Sequence, residues 1–411
     1  MCLSQVLKNG GCTRRLLMLA YYFPPMNASG AQRPFRFAKY LRRSGIDSRV
    51  ISAAEAHGES LISGNRVGGG SVLWSDRVAR AVQRVLPYND QLPWVPRAVR
   101  MAQEAIAEQD GFSCVLSTSP PLATHVAAFL LKRRHGVKWI ADLRDPITGN
   151  PFRQDRFGAA GWDELVEGCV IRYADAVIGN TATVVANLQK KHPKQTRKIH
   201  LIWNGYDPEE EFVVRSVSDR PWRTMTHAGN LYGGRHPGQL IEAVSRLTKR
   251  GALNPDRLRI RLLGYLDPEA PWIAKYDFAK FRNVPWLEVV GQVPRSDAHE
   301  AMTESDYLLL LDLNEQGSGL QVPGKLFEYL RIGRPILAFT NEGSQTEFIL
   351  DRSGIPHVCI YPTLSGEETD RRLLSFLQLS PEPATPSEWF QQVFDGSRQA
   401  QALASILKDL N

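Results

Sequence analysis

Cysteine is scarce and scattered: five in 411 residues, at Cys2, Cys12, Cys114, Cys169 and Cys359. An odd number without CxxC spacing excludes a disulfide framework and a thiolate metal site, and predicts a reducing, cytoplasmic setting. No apolar run reaches the length that crosses a bilayer, and the leading MCLSQVLKNGGCTRR lacks an apolar h-region. Neither a membrane span nor a standard export signal is therefore expected. No GxGxxG follows a strand, and there is no Ser-His-Asp order cue or metal-ligand cluster. These absences argue against dehydrogenases, triad hydrolases and zinc enzymes. Charge is not gathered into a tail either: 50 Lys and Arg against 43 Asp and Glu give +7, spread along the chain. With no finger, basic zipper or aromatic RNA-binding signature, nucleic acid is not the expected partner. The basic balance suits anionic substrates or an anionic lipid surface.

What the chain has is alternation. At 43% hydrophobic content it can bury two cores. Apolar runs at Leu16–Tyr22, Ser48–Ser52, Cys114–Ser117, Lys138–Asp142, Ala176–Gly179 and Ile199–Trp203 alternate with helical patterns such as Arg33–Arg43 and Leu122–Arg134. The polar, acidic stretch NGYDPEEEFVVRSVSDRP follows, after which alternation restarts at Thr224–His227. The fold class is α/β, two Rossmann-like domains, each a parallel sheet covered by helices, meeting across a cleft at their strand ends. The expected boundaries are 1–205, a linker at 206–221, a second domain at 222–386, and a closing amphipathic helix at 387–411 that packs back on the first domain. Gly64–Gly70 reads as a surface loop and Val72–Leu86 as a helix.

The most informative stretch is Gly317–Thr340, GSGLQVPGKLFEYLRIGRPILAFT. It follows an apolar strand and runs loop, helix, glycine stop, strand. Glycines alone satisfy any tight turn. Lys325 and Glu328, however, lie one helical turn apart on one face. An ammonium pairs with phosphate oxygens and a carboxylate accepts two hydroxyl hydrogen bonds, so the pair can hold both ends of a ribose diphosphate. Gly229–Arg235 is a second glycine-punctuated loop before a helix. There Arg235 either forks onto a diphosphate or is a solvated loop arginine. His227 and His236 border that loop without an acidic partner at a telling spacing and read as structural. In the first half, the turn around Gly30 and Arg33, the STSPP loop with Ser119, and ADLRDP each follow a strand. Asp142 and Asp145 flanking Arg144 either position a hydroxyl and take its proton, or form a salt-bridge corner.

Three motifs in this order, YYFPPMNASGAQRPFRFAKYLRRSGI, THAGNLYGGRHPGQLIEAV and VPGKLFEYLRIGRPILAFT, resemble the GT-B-fold glycosyltransferases of the group 1 type. The likeness extends over both domains and is close to the bacterial branch that carries a DLRDP-like segment, here Asp142–Pro146. The resemblance implies transfer of a sugar from a nucleotide diphosphate sugar to an acceptor hydroxyl, with retention, in surface polysaccharide or glycolipid assembly. No metal or other cofactor is implied, because the departing phosphate can take the acceptor proton. By the same likeness Glu328 holds the donor ribose and Arg235 the diphosphate. Lys325 supports the phosphates or the sugar, and Gly30 lies near donor and acceptor. Gly229, Asn230, Gly317, Ser318 and Gly319 complete the donor side; Arg33, Ser119 and Arg144 face the acceptor. Two positions depart from the usual pattern: Leu320 stands where a second Glu is common, and Asn230 where an Arg is. A nucleotide-sugar epimerase of the same fold and a non-catalytic nucleotide-sugar-binding subunit are the alternatives.

The acceptor is expected to be a carbohydrate or lipid-linked. Arg36, Lys39 and Arg43, with Lys132–Arg134, offer a basic face for peripheral contact with anionic lipid at the inner membrane surface, each cation contributing about 1 kcal/mol. An ordinary solvated helix face is the alternative.

Overall fold

The computed structural model describes residues 14–26, 28–53, 91–107, 112, 114–150, 159–216, 220–232, 234–267, 270–276, 284–312 and 320–410. The leading segment with Cys2 and Cys12, the Gly64–Gly70 loop, the Val72–Leu86 helix, and Gly317, Ser318 and Gly319 lie outside the described residues.

Contacts divide the chain into two units. The first holds 1–204 and 396–411, the second 205–395. In the first, β1 (Arg14–Leu19), α1 (Gln32–Leu41), β2 (Ile46–Ile51), α2 (Val95–Ala107), β3 (Cys114–Ser119), α3 (Ala123–His135), β4 (Lys138–Leu143), α4 (Ala159–Tyr173), β5 (Ala176–Gly179), α5 (Ala182–Lys191) and β6 (Ile199–Leu201) follow one another. The strands form a six-stranded sheet in the order β2-β1-β3-β4-β5-β6, every neighbouring pair parallel. β3 and β5 are buried at every position. Parallel strands covered on both faces read as continuous apolar runs, which is why they were legible. β1 starts two residues earlier and stops three earlier than its apolar run, because pairing with Ile46 through Ile51 fixes its register.

The second unit runs β7 (Arg223–Ala228), α6 (Gly238–Lys249), β8 (Leu258–Leu263), α7 (Pro271–Lys275), β9 (Leu287–Gly291), α8 (Arg295–Thr303), β10 (Tyr307–Leu311), α9 (Lys325–Ile332), β11 (Ile336–Phe339), α10 (Gln345–Ser353), β12 (His357–Ile360), α11 (Gly366–Leu377) and α12 (Glu388–Phe394). Its parallel sheet has the order β12-β11-β10-β7-β8-β9. Both units are α/β with helix-covered parallel sheets, as the alternation predicts for each domain.

Two expectations need correcting. The stretch anticipated as a linker is packed on the second unit. Arg295 binds Glu210 at 2.9 Å, Arg215 binds Glu300 at 3.1 Å, and Arg331 donates to the Asp207 carbonyl at 2.9 Å. A run of charge signals solvation only when its counter-charges are absent, and here Arg295 and Glu300 of α8 supply them. The closing helix is two helices, divided at Asp395. Phe390 and Phe394 of α12 are buried in the second unit. In α13 (Gly396–Asp409), Ala400, Leu403 and Leu407 join Phe37, Tyr40 and Leu41 in the first unit's core.

That packing also changes the basic face. α1 is covered by α13 on one side, so Arg33 and Arg36 are 2% and 6% exposed, and Arg36 donates to Asn204 at 2.7 Å. Arg43, Arg133 and Arg134 stay exposed, while Lys132 is ion-paired with Asp175. Among the described residues no helix is long and apolar enough to cross a membrane.

Candidate functional site

In an open parallel sheet a ligand crevice forms at the carboxyl edge, where successive crossovers turn in opposite directions. In the second unit that point lies between β7 and β10, the central pair of its sheet. Residues of the β7 loop and of α9 converge there. Lys325, the first residue of α9, places its Nζ 3.0 Å from Nε2 of His227 at the end of β7. The ring's other nitrogen, Nδ1, lies 2.9 Å from the Leu309 carbonyl of β10. A carbonyl only accepts, so Nδ1 carries the proton and Nε2 offers its lone pair to the ammonium. The Lys325 amine occupies the space a Cβ at Gly229 would take, and Gly229 has φ +145°, so a side chain at this turn meets both strain and the lysine. One turn on, the Tyr329 hydroxyl accepts the Ala228 N–H at 2.8 Å.

A lysine at the first position of a helix is disfavoured by the helix dipole. Burial, and next the charge of Arg235, push its pKa well below the ordinary lysine value, while Asp312 and Glu328 partly oppose them. Burial and Lys325 push His227 well down too, so the ring is neutral. A cation kept in so costly a place, with no carboxylate in ion-pair contact among the described residues, is a mark of a ligand site rather than of stability.

Arg235 reaches the Tyr232 hydroxyl at 3.0 Å, and its buried Nε has no partner among the described residues. Asn230 is used internally: its side-chain oxygen accepts the Tyr265 N–H at 2.9 Å, tying the β7 loop to the end of β8. An amide oxygen so engaged shapes the loop, and the amide N–H groups are what Asn230 has for the donor contact expected of it. Glu328 sits in the first turn of α9, where its charge suits the dipole. Its carboxylate is 2.9 Å from Arg295 and 3.6 Å from His299. Burial alone raises its pKa, but the His299 hydrogen bond and the Arg295 charge reverse this and leave it below the usual value.

The first unit's switch point lies between β1 and β3. Arg144 ties the two loops together there. Its Nε donates to the Ser119 carbonyl at 3.0 Å, and its terminal nitrogens donate to the carbonyls of Gly30 and Pro120. Gly30 lacks a Cβ where that guanidinium passes. Arg33 is more deeply set. Nε bonds both oxygens of Asp142 at 3.2 and 3.1 Å, Nη2 bonds Asp142 at 2.8 Å and Ile202 O at 2.9 Å, and Nη1 bonds Trp203 O at 2.6 Å. Asp142 is fully buried and also accepts from Thr118 at 2.8 Å. The expectations of Asp142 as a proton acceptor and of Arg33 and Arg144 as acceptor-facing cations are therefore corrected. Asp142 and Arg33 are an internal ion pair, and Arg144 is a loop clasp. Asp145 is half-buried beside a small concavity shared with Ser119, Pro120 and Asn150.

Sequence reasoning brought Lys325, Arg235, Gly229 and Glu328 to one sheet edge, where the structure also has them. It missed His227, Arg295 and His299. His227 touches a lysine rather than an acid, so a search for acidic partners passed over it. Arg295 and His299 stand at (i, i+4) at the start of a helix after β9, a spacing that marks them as neighbours. Among the described residues no three His, Cys, Asp or Glu side chains gather as metal ligands.

Residues 32–210 match the family described as Glycosyltransferase Family 4. No curated protein matches the chain. Among solved structures, sucrose-phosphate synthase from Thermosynechococcus elongatus is similar with a TM-score of 0.68 at 12% identity, covering 97% of this chain and 99% of its own. HepE of Anabaena in complex with UDP and glucose gives 0.63 at 14%, covering 96% and 100%. A glycosyltransferase from Rickettsia africae gives 0.56 at 14%, covering 97% and 98%. At these identities the solved structures carry the fold alone, GT-B across both units, while the likeness to Glycosyltransferase Family 4 lies in the first 210 residues.

Proposed function

We propose that the chain transfers a sugar, with retention, from a nucleotide diphosphate sugar to a hydroxyl of a carbohydrate or lipid-linked acceptor in surface polysaccharide or glycolipid assembly. The observation that carries this reading is the Lys325 ammonium held between His227 and Gly229 at the second unit's switch point. With Arg235 and the amides of the β7 loop, it offers positive charge where a diphosphate leaving group develops its own, with no metal required. HepE, whose structure holds UDP and glucose, has the same fold, which supports a nucleotide-sugar donor. Glu328, kept ionised and oriented by Arg295 and His299, is suited to accept two ribose hydroxyls. On the first unit, the clasped Gly30 and Ser119 loops offer the acceptor surface, with Asp145 beside them. Exposed Arg43, Arg133 and Arg134 favour peripheral contact with anionic lipid on the cytoplasmic side.

A panel of nucleotide sugars tests the reading. The true donor at 100 times its Kd stabilises the fold by about 2.7 kcal/mol, and donor plus acceptor extract gives a glycosylated product. Conversion of donor alone into an epimer, or no thermal shift with any donor, would displace it. Glu328→Ala is expected to raise donor KM at least about tenfold, the scale of a lost charged hydrogen bond, while circular dichroism stays native. Unchanged KM removes the ribose role. Because Lys325 is depressed in the free protein and a bound diphosphate favours its charged form, binding takes up protons. Nucleoside diphosphate affinity then falls as pH rises past the free-protein pKa of Lys325. Calorimetry in buffers of different ionisation enthalpy reads this directly, and a heat independent of buffer contradicts it.

A further inference from the structure

His227 lies two residues before the glycine loop, at the end of a buried strand, and is 0% exposed. Its two nitrogens join three elements. Nδ1 is bonded to Leu309 O of β10, Nε2 faces the amine of Lys325 on α9, and the residue itself belongs to β7. β7 and β10 are the pair between which the crevice opens. The carbonyl of Leu309 fixes the tautomer, and the tautomer fixes which nitrogen can accept. We propose that His227 is a positioning residue of the donor site, its neutral Nδ1–H ring holding the Lys325 ammonium over Gly229 so that the remaining N–H groups are aimed at the donor's phosphates.

Three observations carry this. Among the described residues the Lys325 amine has no carboxylate in ion-pair contact, so the ring is the group that orients it. The missing side chain of Gly229 leaves the space that the amine fills, so the amine's place is built from two sides. The Tyr329–Ala228 bond pins the next turn of α9 to the same strand end, which keeps Lys325 within reach of the ring. A lysine stem has four rotatable bonds, and holding its end in advance removes an ordering cost from donor binding. Removing the ring's acceptor therefore weakens ligand binding without removing the charge.

The role in donor binding rests on the function proposed above, so the test has two arms. The first needs no ligand. Long-range proton–nitrogen spectra of the free protein should show His227 as the neutral Nδ1–H tautomer, with an unprotonated Nε2 resonance that moves in Lys325→Met. The Nε2–H tautomer, or a resonance indifferent to that substitution, overturns the inference whatever nucleotides do. The second arm measures calorimetric affinity for uridine, guanosine, adenosine and thymidine diphosphates. His227→Asn keeps a donor for Leu309 O but has no acceptor at the Nε2 position; His227→Gln keeps that acceptor. With the nucleotide that wild type binds, His227→Asn should bind about ten- to a hundred-fold more weakly, the scale of a hydrogen bond to a charged group. His227→Gln should recover most of the loss, and both should melt like wild type. Donor KM should follow the same pattern, with kcat changed less. Equal binding by wild type and His227→Asn overturns the positioning role. Wild type binding none of the four overturns the donor reading itself, and the ring spectrum still reports whether His227 holds the lysine.

Discussion

Lys325→Met is expected to cut turnover at saturating donor by about 10²–10³-fold, the range seen when one preorganised electrostatic group is lost from a transition state. Methionine keeps most of the stem's length and packing, so the change removes the charge and little else. The expectation follows from where the amine sits: first residue of α9, against Gly229, on the lone pair of a neutral histidine. Folding gains nothing from a cation there. The helix dipole opposes it, burial depresses its pKa, and Arg235 adds like charge. The same three penalties vanish when an anion arrives. The variant should thus be at least as stable as wild type while losing turnover, a combination that separates a functional lysine from a structural one. Rapid-quench measurement of a single turnover with preloaded donor makes the comparison free of product release. An unchanged rate would move the leaving-group role to Arg235 and the loop amides.

Asp142→Asn is expected to do the reverse, lowering stability by about 3–5 kcal/mol and depressing the first unit's melting transition by on the order of 10 °C. The carboxylate is fully buried and receives three hydrogen bonds from Arg33 and one from Thr118. Without that charge, the guanidinium keeps in the interior only neutral acceptors, the new amide oxygen and the carbonyls of Ile202 and Trp203. Such an uncompensated charge costs far more than the original pair contributes. Any loss of activity should track loss of folded protein, and at a temperature well below melting kcat should stay near wild type. Had Asp142 been a proton acceptor, kcat would fall about 10²–10⁴-fold with melting unchanged. Differential scanning calorimetry beside initial rates tells the two apart.

The contrast between these residues shows what the sequence could convey. Buried parallel strands announce themselves by unbroken apolar runs, and Ala176–Gly179 was bounded to the residue. Lys325 and Glu328 were legible because helical spacing puts them on one face whatever packs around them. Asp142, Arg33 and Arg144 were legible as a charged cluster after a strand but not in role. Whether a carboxylate faces a substrate or a guanidinium 109 residues away depends on the tertiary partner, which local pattern does not carry. The acidic stretch before Pro221 misled for the same reason, since its counter-charges Arg295 and Glu300 lie on α8. His227 escaped because its partners are a carbonyl 82 residues away and a lysine 98 residues away.

The two sheets are wound from the same alternation yet differ in where the winding reverses. In the second unit three strands lie on either side of the reversal; in the first, two lie on one side and four on the other. A crevice at the middle of a sheet has walls of equal extent and suits a ligand of fixed size, such as a nucleotide. One near a sheet margin has a short wall, over which a long molecule can continue past the domain. The winding itself thus gives the two crevices different walls: two of equal extent in the second unit, one short and one long in the first.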